Sequence, residues 1–445
     1  MLVLIWSKDK AIKEEVLKSY WQLIFDPKEF EARTIAINLI TLLNESTLTE
    51  ATSLEELLNF LLDWNNQIEE REKDKKKDMF QIPANVYKNF WEIFILGLKD
   101  PVNSRKETRA SLQLLRICCS KSKEAWAQKF ENFQGILASF RKNKNKIDWI
   151  IVKEISLIVE KTSEPPTKLL QLFLVLLIEF QGQMDTEWFC AAEQIINMIF
   201  SFKKDPEDMA KNLILKCTRF LYENKKGNNP ENQTQTQTAF NVDNFPQSQL
   251  ELPVEENKMM IEEEGNKTKD LEFEMKLAQL LFIVGHVAIK YLIYIDNYEN
   301  ELKKLKNEAE TKYQANQKDS NNEDLEKIHG GLEAEYEKKI EMLHQISEHD
   351  LLNKNLLGCY IPFIKKICKD ITDGVRINVN PILDRAVLMT LCKFMCVSGE
   401  FCKENLEILF KLMNSNIDPT IKNNIIISLG INIFMKDLIL NIINI

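Results

Sequence analysis

Apolar positions recur at spacings of three and four along most of the chain. In "AIKEEVLKSYWQLIF" (11–25), Ile12, Val16 and Leu23 fall near one stripe, with Trp21 and Ile24 beside it. "TRASLQLLRICC" (108–119), "DWIIVKEISLIVEK" (148–161) and "WFCAAEQIINMIF" (188–200) read the same way. Strict alternation of apolar and polar residues is absent, so the pattern predicts an all-α protein. "LLQLFLVLLIEF" (169–180) is broken by Gln171 and closes on Glu179. It is shorter than the roughly 20 residues a membrane span needs and reads as a buried helix.

The punctuation between helices is itself repetitive. Asp-Pro occurs at 26–27, 100–101, 205–206 and 418–419, each time after an apolar helix and before another. Asp is a good N-cap and Pro suits the first helical position. A basic residue follows at varying distance: Arg33, Arg105, Lys211 or Lys422. Paired helices at intervals of about 40–47 residues are the mark of HEAT or armadillo repeats. The expected fold class is therefore an all-α, HEAT/armadillo-type α-solenoid, with an irregular helical bundle as the alternative. Residues 224–269 break the pattern: "NKKGNNPENQTQTQT" and "ELPVEENKMMIEEE" are polar, acidic and aperiodic, which predicts a disordered acidic insertion. The expected organisation is a repeat block over 1–223, the insertion over 224–269, a helix over 270–299, a charged helical bridge over 300–350 and a second, truncated repeat block over 351–445.

Composition agrees with this reading. The 445 residues include 12 Gly and 12 Pro, few turn formers for so long a chain, and long helices with short connections use few. The net charge of −9 gives no global attraction to nucleic acid, so any such contact must use a local patch. The nine cysteines follow no extracellular framework. The opening "MLVLIWSKDKAIKEE" has too short an apolar run for a signal peptide. A soluble, intracellular, reduced protein is expected.

Chemistry-bearing motifs are sparse. No P-loop, HExxH, GxSxG or dinucleotide fingerprint occurs. Cys392, Cys396 and Cys402 crowd into "LCKFMCVSGEFC" (391–402). Cys392 and Cys396 share a face of the helix expected over 382–397, beside Leu388, Leu391 and Met395, and Cys402 opens the next helix. No fourth ligand lies nearby in sequence, so buried packing is expected rather than zinc. His344 and His349 are five apart, which suits surface positions. Gly285-His286 lies inside an apolar helix, where Gly permits close packing and His286 reads as a satisfied core residue. "LEELL" (54–58) reads as core. The densest basic run is "RKNKNK" (141–146), placing Arg141, Lys142, Lys144 and Lys146 in a connection between helices. Loops on one edge of a solenoid can follow a phosphate backbone, and a merely solvated loop is the plainer alternative. "KDKKK" (73–77) and Lys365, Lys366 and Lys369 are weaker candidates.

One long stretch is recognisable. "LCKFMCVSGEFCKENLEILFKLMNSNIDPTIKNNIIISLG" (391–430) resembles the HEAT-repeat subunit 1 family of the condensin complex. So do "LLFIVGHVAIKYLIYID" (280–296), "LEKIHGGLEAEYEKKIEMLHQISEHDLL" (325–352) and, more weakly, "AINLITLLNESTLTEATSLEELL" (36–58). The likeness is strong over about 271–434 and collinear over 8–223, and a middle fragment of that family is expected. Ile431 stands where the family carries an acidic residue after "LG". The resemblance implies a curved scaffold that is not an enzyme and carries no cofactor or metal. It implies binding to the kleisin and SMC ATPase subunits of condensin and to chromosomal DNA, and a place in the nucleus, on chromosomes, in mitotic condensation. Two alternatives stand beside it: a generic HEAT scaffold, as of a nuclear transport receptor or a phosphatase, and a zinc protein built on the 392–402 cysteines.

Overall fold

The computed structural model describes residues 2–25, 30–71, 82, 84–118, 128–143, 147–162, 165–202, 206–223, 264–317, 323–374, 380–415, 419–427 and 430. Among them there is no β-strand, and every long element is an α-helix. The helices pack in series on their sequence neighbours, an all-α, solenoid-type arrangement. The chain divides into two units, Met1–Leu176 and Leu177–Ile445.

The first unit opens with a 3₁₀ turn (Leu2–Trp6) and α1 (Lys10–Tyr20), followed by a π turn (Trp21–Phe25). Then come α2 (Ala32–Glu45), α3 (Leu48–Arg71), α4 (Ala84–Gly97), α5 (Arg105–Cys118), α6 (Phe130–Lys142), α7 (Trp149–Glu160) and α8 (Thr167–Glu179), within which the unit boundary falls. The π turn corrects the stripe read from the sequence. Its wider pitch rotates the residues within it, so Trp21 is buried whereas Leu23 faces solvent; in α1 before it, Val16 and Leu17 are buried and Ile12 is exposed. Helix α5 is the hub, packed against α2, α3, α4 and α7. Helix α7 buries residues all round, from Trp149 and Ile151 through Ile155 to Val159, as an enclosed helix must. Leu54, Leu57 and Leu58 of "LEELL" are core.

The second unit contains α9 (Glu187–Ser201), α10 (Pro206–Glu223), α11 (Glu264–Gln317), α12 (Glu323–Gln345), α13 (Ile361–Thr372), α14 (Pro381–Val397) and α15 (Gly399–Asn414). Of the segment read as an insertion, 224–263 lie outside the described residues and 264–269 are the first turns of α11. Helix α11 runs on through position 300, so the charged stretch that follows is a continuation of the apolar helix before it. The stretch Leu271–Thr311 has the length and hydropathy to cross a membrane, yet 61% of its most apolar window is buried against protein. Its neighbours there are α9, α10 and above all α14. Gly285 permits that contact: a Cβ in its place would stand 3.0–3.1 Å from Thr390 of α14. Thr390 Oγ1 in turn donates to Leu281 O of α11 at 2.9 Å.

The Asp-Pro signals resolve unevenly. Pro206 is the first residue of α10 as expected. Asp100-Pro101 instead opens a turn, with Asp100 accepting from the Asn103 backbone, and α5 starts four residues later at Arg105. Asp26-Pro27, Asp205 and Asp418 lie outside the described residues.

Candidate nucleic-acid interface

Arg141 and Lys142 end α6 and are both exposed. Lys144 and Lys146, the other two residues of the basic run, lie outside the described residues. Beside the end of α6 stands the connection between α4 and α5. Gly97, Leu98, Lys99, Pro101, Arg105 and Thr108 from that connection, with Ser139, Phe140, Asn143, Asp148 and Ile151 from the α6–α7 side, line a depression of about 220 Å³. That is below the 300–1,000 Å³ of ordinary small-molecule pockets, which argues for a surface feature and against a substrate cavity.

Asp148 organises this edge. It caps α7, accepting from the Ile150 and Ile151 backbone N–H groups at 3.1 and 3.2 Å. Arg105 Nε and Arg109 Nε donate to the same carboxylate at 3.0 and 2.8 Å. At this one Asp-Pro turn, the basic residue that follows pairs with the acid that starts a later helix. Two turns further along α5, Arg116 donates from Nε to Glu154 of α7 at 2.6 Å and from Nη1 to Glu55 of α3 at 3.0 Å. Burial opposes its charge, but the two carboxylates outweigh burial and raise its pKa. These pairs fix the angular setting of α3, α5 and α7, and so hold the two connections side by side.

Sequence reasoning missed that Lys99 and Arg105 line one depression with Asn143, the residue after Lys142. They stand about 40 positions away, and only the turn bearing "KDPVNSRK", read one repeat earlier, could have signalled them.

The cysteine cluster has a packing environment. Cys392 and Cys402 are 3% and 4% exposed. Cys396 is half-buried, contrary to the expectation that all three are enclosed. Four residues turn a helix through 400°, so Cys396 sits 40° round from Cys392 and reaches the rim of the buried face. The structure adds Cys368 of α13, whose pKa is raised by burial and then by the nearby Cys392 and Asp384. No group of three or more potential metal ligands occurs among the described residues.

The recognition motifs prove to be joints. In "VSGEFC", Ser398 caps α15 by accepting from Phe401 N at 3.1 Å and donates to Glu348 O at 2.8 Å. The Glu348 carboxylate, from the π turn Ile346–Asp350, accepts from Gly399 N at 2.9 Å. In "IVGHV", His286 is buried and its Nε2 lies within hydrogen-bond distance, 2.9 Å, of Asn197 Oδ1. Burial, then Lys393 and Lys290, hold its pKa down to about 3. His349 Nδ1 pairs with Glu400 at 2.7 Å on the surface, and His344 is exposed.

No protein-family model matches the chain. Among curated proteins it is 28% identical to the condensin complex subunit 1 of Schizosaccharomyces pombe, over 97% of this chain and 36% of that one. It is 21% identical to the condensin-1 complex subunit CAP-D2 of Arabidopsis thaliana (97% and 28%). It is 23% identical to the condensin complex subunit 1 of Homo sapiens (97% and 29%). The chain spans about a third of the length of the curated relatives it matches. With the motifs at 280–296, 325–352 and 391–430 now placed at the joints of the helical stack, the chain is a relative of condensin complex subunit 1, aligned with one stretch of that protein.

Proposed function

We propose that this chain is a non-catalytic scaffold segment of a condensin non-SMC subunit, acting on chromosomes in the nucleus. In this reading it binds a kleisin segment and an SMC ATPase head, and it touches DNA without regard to sequence. The observation that carries the reading is the near end-to-end match to condensin subunit 1 by a chain made of serially packed helices. Chemistry then belongs to the SMC partners, and this chain supplies shape and contact surface.

Affinity purification of the tagged chain from dividing cells tests the assignment. Co-purification of kleisin and SMC subunits is the expected result. Recovery of Ran or of a phosphatase catalytic subunit in their place overturns it in favour of a generic helical scaffold.

For DNA, the proposed contacts are Arg141, Lys142, Lys144 and Lys146. Four phosphate contacts predict a log–log salt slope of roughly −3.6. Changing all four to Glu is expected to weaken duplex binding; because Arg141 and Lys142 lie in the last turn of α6, where acids oppose the helix dipole, the thermal midpoint is expected to fall only slightly.

A further inference from the structure

We propose that the DNA-contacting surface is a track built from two successive helix connections, in which Lys99 and Arg105 of the α4–α5 connection act together with Arg141 and Lys142 at the end of α6. This rests on the DNA reading above and names the further residues that would carry it.

The first observation is proximity. Lys99 and Arg105 line the same 220 Å³ depression as Asn143, the residue that follows Lys142, and Asp148, although they are about 40 residues apart in sequence. The second is exposure. Lys99, Arg105, Lys106, Arg141 and Lys142 are all exposed, and the Arg105 side chain keeps 49% of its surface open while holding Asp148.

The third observation is what happens to the acids. Asp148 is 10% exposed and already takes Arg105, Arg109 and the first N–H groups of α7. Asp100 accepts from the Asn103 side chain at 3.0 Å and from its backbone at 3.3 Å, and these bonds keep its pKa low. Asp100 therefore stays ionised, and with Glu107 in the first turn of α5 it is an exposed acid among the described residues of this edge. The exposed cations Lys99, Arg105, Lys106, Arg141 and Lys142 outnumber these acids and Asp148, so the described edge is positive on a chain whose net charge is −9.

The partner chemistry follows. The depression is too small for an ordinary organic ligand, its one described aromatic lining residue, Phe140, is buried and so offers no platform for an unstacked base, and cationic groups are spread along two turns. That combination fits the phosphodiester backbone of a duplex, contacted through charge alone.

The test uses the full chain and a fluorescein-labelled random-sequence DNA duplex, with binding measured by anisotropy across a salt series. Four variants are compared with the parent: Lys99→Gln, the pair Arg141→Gln with Lys142→Gln, the triple combination, and Lys88→Gln on the body of α4 as a control. Lys99→Gln is expected to make the salt slope shallower by about 0.9, the pair by about 1.8 and the triple by their sum, each contact releasing about one counterion. Lys88→Gln is expected to leave the slope unchanged. If the pair changes the slope and Lys99→Gln does not, the two-turn track is wrong and the DNA reading survives on the α6 end alone. If no variant changes the slope, or the parent does not bind duplex at low salt, the DNA reading fails with it. Binding of labelled polyglutamate, lost in Lys99→Gln, by a parent that ignores duplex would assign the edge to an acidic protein segment and overturn the proposal.

Discussion

Three residues carry testable consequences of burial. Arg116 is 9% exposed in its side chain and Glu154 is 7% exposed, while Glu55 reaches solvent at 33%. Arg116→Met leaves Glu154 buried without its partner and is expected to cost about 3–5 kcal/mol in urea unfolding. Adding Glu154→Leu removes the orphaned charge and should recover most of that loss. For His286 the sign of the pH effect follows from a depressed pKa, near 3 folded against 6.5 unfolded. Below about pH 6.5 the unfolded chain takes up a proton that the folded chain refuses. Stability therefore falls with falling pH until about pH 3. Between pH 7 and pH 5 the loss is about 2 kcal/mol, and His286→Gln, which keeps a donor toward Asn197, should remove that part of the pH dependence. Cys392→Ser puts a hydroxyl into an apolar site and is expected to cost about 1–3 kcal/mol. Purified protein should contain no stoichiometric zinc by metal analysis.

At the scale of elements, the α11–α14 contact decides how the second unit is built. Gly285 lets the two backbones approach at Thr390, and Lys393 of α14 lays its ammonium over the Phe282 ring of α11 at 4.9 Å. Gly285→Leu must push these helices apart. The resulting overpacking costs about 1–3 kcal/mol, outweighing a helix-propensity gain of about 1 kcal/mol. A higher melting temperature for that variant would show the contact to be looser than described. The 346–350 π turn works at the same scale: it sets Glu348 against the start of α15 and joins the α12 end of the second unit to the α13–α15 group.

Over the whole molecule, α11 ties the charged hairpin with α12 to the apolar stack of α9, α10 and α14. Residues 224–263, the part of the expected 224–269 insertion that lies outside the described residues, connect α10 to α11 and are poorer in apolar side chains than the chain as a whole. Replacing them with a flexible Gly/Ser linker is expected to leave helicity by circular dichroism and the thermal midpoint nearly unchanged. A large loss of helicity would show that the segment packs on the stack.

The sequence by itself determined the element type, because three- and four-residue apolar spacing has only one secondary structure that buries it. It also determined the kinship, because "KFMCVSGEFC" and "LLFIVGHVAIKYLIYID" are long enough to be distinctive. It placed the basic run in a connection between helices, whereas Arg141 and Lys142 are the last two residues of α6. It did not reveal that Leu23 turns outward, because a π turn changes the pitch without any residue that announces it. Nor did it show that Asp148 draws in Arg105 and Arg109, that Cys368 approaches Cys392, or that Lys99 and Asn143 line one depression. Each of these joins residues some 24 to 44 positions apart, and periodicity records only which face of a helix is buried. Which neighbour that face meets is set by helix lengths, turn geometry and crossing angles acting together, so only the tertiary structure could decide it.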